Sequence, residues 1–261
     1  MTWETGLATT IALIVLATVA TLGLWAGRIP SPWSIATALG RAALQLAALS
    51  LVLAGVITDA RWVALGLVVM FAAAVGTAAR RARLGRAQLG SLALAMLVGP
   101  LAVGAIIFAS GALEFSPRYV LAVGGIIIGN TMTIAILTER IFTSTVRDGW
   151  DEVEGWLALG ATPRQSTATL ARQAIRTALL PSIDQTRTTG IVVLPGAFVG
   201  AIFAGASPLE AGRFQLLVLA GILAAGVITA TLLARSLGAI TQRPGHVELA
   251  RTTPRPPRPP A

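Results

Sequence analysis

Few side chains in this 261-residue sequence can do chemistry, and most of those that can are set in or beside long apolar runs. Asn130, Thr131, Met132 and Thr133 stand together in one run. Arg41 and Gln45 lie one turn apart in another, and Asp184 and Thr188 lead into a third that carries Pro195 and Gly196. Amide, hydroxyl, carboxylate and thioether groups suit weak, exchangeable contact with a cation or polar solute in passage. A tight soft-metal site is not expected, because cysteine is absent and the one histidine, His246, lies outside every apolar run. Asn130, Met132 and Asp184 are the candidate ligands if a metal passes. Every basic residue is an arginine. Without lysine the chain has no P-loop and no Schiff-base chemistry, so any ATP it uses must be hydrolysed by another chain. An enzyme is not expected: there is no HExxH pair, no G-x-S-x-G elbow and no pair of acids deep in an apolar run.

Each of these residues also has a plainer reading. Polar groups in mid-span are normally satisfied by neighbouring helices, and Arg41 can snorkel to a membrane interface. Asp184 can simply pair with Arg187 or Arg176. Pro195 bends a helix, and Gly196 with Gly200 makes a small-xxx-small packing face; the sharper alternative is a broken helix lining a pathway.

The elements that must hold these groups follow from hydropathy. With 55% hydrophobic and 12% charged residues, the chain reads as an all-α, polytopic membrane protein. Seven apolar runs are long enough to cross a bilayer, at about 5–27, 34–57, 62–79, 89–112, 119–138, 188–206 and 214–234. They lack the alternation of a membrane barrel. The first run follows Glu4 rather than a basic stretch, so it reads as a span and not a secretory signal. With the N-terminus outside and the C-terminus in the cytoplasm, all arginines but Arg61, Arg118 and Arg213 fall on the inside, "RRARLGR" at 80–86 being the decisive loop. The net charge of +9 is thus read through membrane topology rather than nucleic-acid binding. Residues 1–242 form the expected membrane domain, with a cytoplasmic segment at 143–187, and 243–261 form a disordered proline- and arginine-rich tail.

The cytoplasmic segment "DEVEGWLALGATPRQSTATLARQAIRTALLP" (151–181) reads as two helices with a break. Asp148 is the expected N-cap of the first, whose apolar face is Trp150, Val153, Leu157 and Ala161, widened by Trp156. Gly160 stops it. Thr162 as N-cap, Pro163 at the first helical position and Gln165 at the capping-box position start the next. In that second helix Gln165, Thr169, Arg172, Gln173 and Arg176 fall on one flank and Ala171, Ala174 and Ala178 on the other. Such a helix lies at the membrane surface or leads into the next span.

The stretch from Glu154 through Gly160 to Ala161, Thr162 and Pro163 resembles the coupling loop of ABC transporter permeases, a short helix that docks in a groove of a cytoplasmic ATPase. "GRAALQL" at 40–46, "GGIIIGNTMT" at 124–133, the arginine-rich third loop and the block from 160 to 215 containing "VLPGAFVGAIFAGASP" and ending in Gln215 extend the likeness. Together they resemble the FetB-type permeases, membrane subunits of a bacterial iron-export ABC system, to which plant membrane proteins linked to aluminium tolerance are similar. The resemblance implies a permease of the inner (plasma) membrane that pairs, as a dimer, with separate ATPase subunits holding ATP and Mg. Glu154, Trp156, Leu157, Gly160, Ala161, Thr162 and Pro163 would couple to the ATPase. Arg41, Gln45, Asn130, Met132, Asp184, Thr188, Pro195, Gly196 and Gln215 would line the pathway for iron, another metal ion or a small solute. Where that family has a methionine pair after "LPG", this chain has Ala197 and Phe198, which removes two thioethers. The alternative is an ATP-independent channel or secondary transporter; that class usually needs an acid deep in the membrane, and the carboxylates here fall at or beyond the ends of the apolar runs.

Overall fold

The computed structural model describes residues 3–56, 59–82 and 84–244, so Arg83, His246 and the tail from 245 lie outside the described residues. Regular structure among the described residues is helical, apart from one isolated bridge between Thr189 and Val193. The chain divides into two compact units, Met1–Trp62 and Val63–Ala261.

The first unit is a pair of packed helices, α1 (Trp3–Ala26) and α2 (Ser34–Val56). Arg28 and Ser31, in the turn between them, both take positive φ, at 51° and 65°. Arg41 and Gln45 project from α2 and are exposed.

The second unit holds α3 (Ala60–Arg81, from Val63 onward), α4 (Arg86–Ala109), α5 (Pro117–Asp148), α6 (Trp150–Ala158), α7 (Pro163–Ser166), α8 (Ala168–Thr188), α9 (Gly196–Phe203) and α10 (Pro208–Leu237). The starts of α5 and α10 are written locally. Ser116 and Ser207 are N-caps followed by proline at the first helical position. At α10 the Glu210 carboxylate accepts from the Ser207 N–H at 2.9 Å, completing a capping box.

The core is a spine of α5 and α10 flanked by α4 and α8. On α5, Val123, Ile127, Thr131, Ile134, Thr138, Phe142 and Val146 are buried at helical spacing. On α10 the buried set runs from Ala211 through Val218, Ile222, Ala225, Thr229 and Leu233 to Leu237. α4 and α10 run antiparallel and approach to backbone contact: a Cβ on Gly99 would lie 2.7 Å from the Ala225 carbonyl oxygen, and the buried Thr229 hydroxyl donates to the Ala95 carbonyl at 3.0 Å. Small residues that let helix backbones meet are the usual means of association in lipid, where apolar burial between helices adds little.

Helix direction sorts the arginines. α3 ends beside the last turns of α5, where Arg140 donates to the Arg81 carbonyl, and the end of α10 meets both the start of α8, through Thr167 and Gly238, and the end of α5, through Arg243 and the Arg147 carbonyl. Arg80, Arg81, Arg140, Arg147, Arg164, Arg172, Arg235 and Arg243 therefore gather at one end of the unit, and Arg118 and Arg213 lie at the other.

Among the described residues five helices, α1, α3, α4, α5 and α10, are long and apolar enough to cross a membrane. The expected span over 188–206 is not one helix. α8 ends at Thr188, residues 189–195 form a turn, and α9 has only 8 residues, a rise of about 12 Å. The second helix of the 151–181 segment takes the inward of its two sequence readings: α8 packs along α5 and α10, with Leu170, Ala174, Ala178 and Leu179 buried. α8, the turn and α9 together traverse the depth that α10 covers in one piece. Asp148 is not an N-cap either; α5 continues through it, and Gly149 precedes α6.

Candidate functional site

Two places depart from the smooth helical bundle. At the arginine-rich end, α6 and α7 form a projecting knob. The inner face of α6, with Trp150 and Val153 buried and Leu157 half-buried, seats on the core beside Val146 and Leu170. Gly160 (φ +88°) follows, and its N–H donates to the Leu157 carbonyl while the Ala161 N–H donates to that of Trp156, both at 3.0 Å. This is a Schellman motif, which requires a left-handed residue and so selects glycine. Gln165 then reaches back to accept from the Thr162 N–H at 2.8 Å, closing the capping box that the sequence predicts.

What the knob presents outward differs from the apolar stripe read in the sequence. Leu157 belongs to the seat. Trp156 (51% exposed) and Leu159 (82% exposed) point away from the unit, beside the exposed Glu154, Gly160 and Thr162, with Ala161 and Pro163 half-buried beneath them. Leu159 was not singled out by sequence, because it stands outside the helical phase; the Schellman turn throws it outward. Asp148, Asp151, Glu152 and Glu154 are all exposed, and among the described residues none of them forms an ion pair. The knob is thus an apolar tip with an acidic rim, standing in a collar of arginines.

The second place is the interruption between α8 and α9. Threonine hydroxyls take up the last carbonyls of α8: Thr186 donates to Ser182, Thr188 to Asp184 and Thr189 to Gln185, at 2.8, 3.0 and 2.8 Å. Gly190 is left-handed (φ +86°), and the N–H groups of Ile191, Val192 and Val193 fold back on the Thr188 carbonyl. Pro195 precedes α9 without a side-chain cap. Thr189, Gly190, Leu194, Pro195 and Phe198 line a cavity of about 350 Å³ with Gly212, Gln215, Leu216 and Leu219 of α10. Gln215 is buried at 7% exposure and its Oε1 has no hydrogen-bond partner. An unpaired buried amide oxygen costs about 1–3 kcal/mol. Beyond α9 a second cavity of about 570 Å³, lined by Glu114, Arg118, Tyr119 and Glu210 among others, lies at the end opposite the knob.

The predicted pathway residues divide accordingly. Pro195 and Gln215 meet at the interruption, with Thr188 and Gly196 bordering it. Asp184 lies one turn earlier on the outward face of α8, paired with Arg187 at 3.4 Å. Asn130 donates to the Ile126 carbonyl of its own helix at 2.8 Å, and Met132 packs against the main core cluster, so the two do not share a face. Arg41 and Gln45 belong to the first unit. Among the described residues no group of three or more His, Cys, Asp or Glu could hold a metal ion.

One carboxylate escaped the sequence reading. The apolar run ends at 138, but α5 continues to Asp148, and Glu139 is buried within it, accepting from the Thr143 hydroxyl at 2.9 Å. The continuing phase Thr138, Phe142, Val146 was the signal available.

Comparison with known proteins places these features in context. Residues 5–239 match the model of an uncharacterised protein family, UPF0014. The chain is 38% identical over 197 residues to the UPF0014 membrane protein STAR2 of Oryza sativa subsp. japonica, covering 75% of this chain and 69% of that protein. It is 35% identical over 189 residues to the "Probable iron export permease protein FetB" of Escherichia coli strain K12, covering 71% of each. It is 34% identical over 181 residues to the protein ALUMINUM SENSITIVE 3 of Arabidopsis thaliana, covering 69% and 66% respectively. No solved structure matches.

Proposed function

From the premise that this chain belongs to the UPF0014 family of multi-pass membrane proteins, we propose that it is the permease subunit of an ATP-driven exporter, acting with a separate ATPase. The observation that carries the reading is the knob: a rigid, doubly capped element with an exposed Trp156 and Leu159, on a chain that has no lysine for a P-loop. An exposed tryptophan beside an exposed leucine, ringed by charge, is the usual make-up of a binding hot spot. The acidic rim fits a partner groove with basic edges. The surrounding arginines fit the anionic surface of a cytoplasmic leaflet, which supports a cytoplasmic knob. Counting α8 and α9 as one interrupted crossing, and α2 as a full one, gives seven crossings, with the N-terminus outside.

The cargo route passes the interruption, where backbone and Gln215 can meet a solute without exposing unpaired groups to lipid. Its donors are oxygens, which suits iron or another hard metal ion better than a soft one. Similarity to a protein named as an iron export permease supports iron as the first cargo to test.

Reconstitution in liposomes tests this reading. The chain with an ABC-type ATPase from the same organism should move iron only when ATP is supplied. A second reading, an ion-coupled transporter, draws on the buried Glu139. Transport by the purified chain alone, abolished by Glu139→Gln, would favour it and overturn the first.

A further inference from the structure

The break between α8 and α9 limits the form in which a cargo can pass it, and this inference rests on the reading that the cargo does pass there. Its cavity of about 350 Å³ takes apolar side chains from Leu194, Phe198, Leu216 and Leu219, and among the described residues no charged group lines it. Along α10 it spans Gly212 to Leu219, about 6–17 Å in from the first residue of that helix. That depth belongs to lipid and protein rather than bulk water.

Oxygens on the α8 side of the break that could replace the water around a cation are already engaged. The Thr188 carbonyl accepts from Ile191, Val192 and Val193, the Val193 carbonyl from Gly190, and the Gln185 carbonyl from the hydroxyls of Thr188 and Thr189. The side-chain acceptor left over is Gln215 Oε1, on a residue that is 7% exposed. A bare hard cation needs about six oxygens, or carboxylates that cancel its charge, and otherwise meets the full cost of leaving water. A single neutral amide oxygen supplies neither. What it lacks is a hydrogen-bond donor.

We propose that the cavity admits its cargo as an uncharged complex: a metal ion whose own ligands cancel its charge and turn at least one N–H or O–H outward, toward Gln215. The apolar walls then meet the carbon skeleton of those ligands. The volume, equal to that of about a dozen water molecules at ~30 Å³ each, sets their size. Iron crosses wrapped rather than bare, and selection falls on the wrapping, by net charge first and by the outward donor second.

Two ferric complexes of nearly equal size test this. Three acetohydroxamate anions cancel the charge of one ferric ion and keep their N–H groups outward; three N-methylacetohydroxamate anions cancel it equally but carry methyl groups in place of those hydrogens. Radioactive iron in each form is dialysed to equilibrium against the chain in lipid nanodiscs, with no ATPase present. The N–H complex should bind about tenfold tighter than the N-methyl one, and Gln215→Leu should bring the two to equal affinity by weakening the first. Manganese(II), added as a bare divalent ion, should displace neither. Equal affinities in the wild-type chain, no binding of either complex, or displacement of the N–H complex by equimolar manganese would each overturn the proposal. The wild-type comparison decides the matter even where Gln215→Leu fails to fold. Selective binding without ATP-driven transport would count against the exporter and leave this inference standing; ATP-driven iron transport with no preference between the complexes would do the reverse.

Discussion

The same local device appears twice in this molecule with opposite outcomes. At the knob, a helix stops at a left-handed Gly160 and the chain restarts at Pro163; at the interruption, a helix stops just before a left-handed Gly190 and restarts after Pro195. Around Gly160 the exposed helix ends are closed by the Schellman turn and the capping box, and the product is a stiff projection. Around Gly190 the α8 carbonyls are met by threonines, but α9 begins uncapped and Gln215 keeps an unpaired oxygen in a cavity. The first break is closed on both sides by backbone turns and a capping box; the second is closed on the α8 side by threonines and leaves α9 without a side-chain cap. A break closed on both sides suits a lever that must transmit force, and one lined by a buried amide and turn backbone suits a place that a solute passes.

Four substitutions would break or sharpen this contrast. The largest effect is expected from Gly160→Arg, which forces a left-handed φ on a side chain that disfavours it by about 1–2 kcal/mol and places its bulk on the knob. ATP hydrolysis coupled to transport should fall to background while insertion, read by protease accessibility in membranes, stays normal. Gly99→Ala lies at neither break and drives a Cβ into the Ala225 backbone. It should lower stability by about 1–3 kcal/mol, seen as an earlier thermal transition in detergent, with knob binding intact in the folded fraction.

Gln215→Leu separates stability from transport. Removing an unpaired buried oxygen should leave the thermal transition unchanged or raise it by up to about 1 kcal/mol, while transport drops. Loss of both together would mean that Gln215 is a structural group. The smallest effect belongs to Thr162→Ala, which loosens the capping box by about 1 kcal/mol. It should weaken ATPase coupling partially and leave cargo affinity untouched.

The knob was legible in the sequence because its signals are local. Gly160, Thr162, Pro163 and Gln165 each state a backbone requirement that neighbours cannot override. Which apolar residue projects was not legible, since Leu159 stands outside the helical phase that carries Leu157 and only the turn at Gly160 aims it outward. α8 shows a different limit. Its polar stripe reads as a surface helix, yet its small apolar face fits between α5 and α10, and hydropathy cannot distinguish a polar face toward water from one toward another protein. The interruption was half legible: Pro195 and Gly196 announce a bend, but a full break depends on the threonine ladder and the turn at Gly190. Glu139 was hidden by the assumption that a helix stops where its apolar run does.

The account turns on the knob as the ATPase contact, and binding measures that most directly. The chain in lipid nanodiscs, titrated with its ABC-type ATPase, should bind in a salt-sensitive manner, as an acidic rim requires. Trp156→Ala should weaken that binding by about 2 kcal/mol, roughly thirtyfold, with no change in thermal stability. Wild-type affinity in Trp156→Ala, Leu159→Ala and Gly160→Arg alike would contradict the central claim.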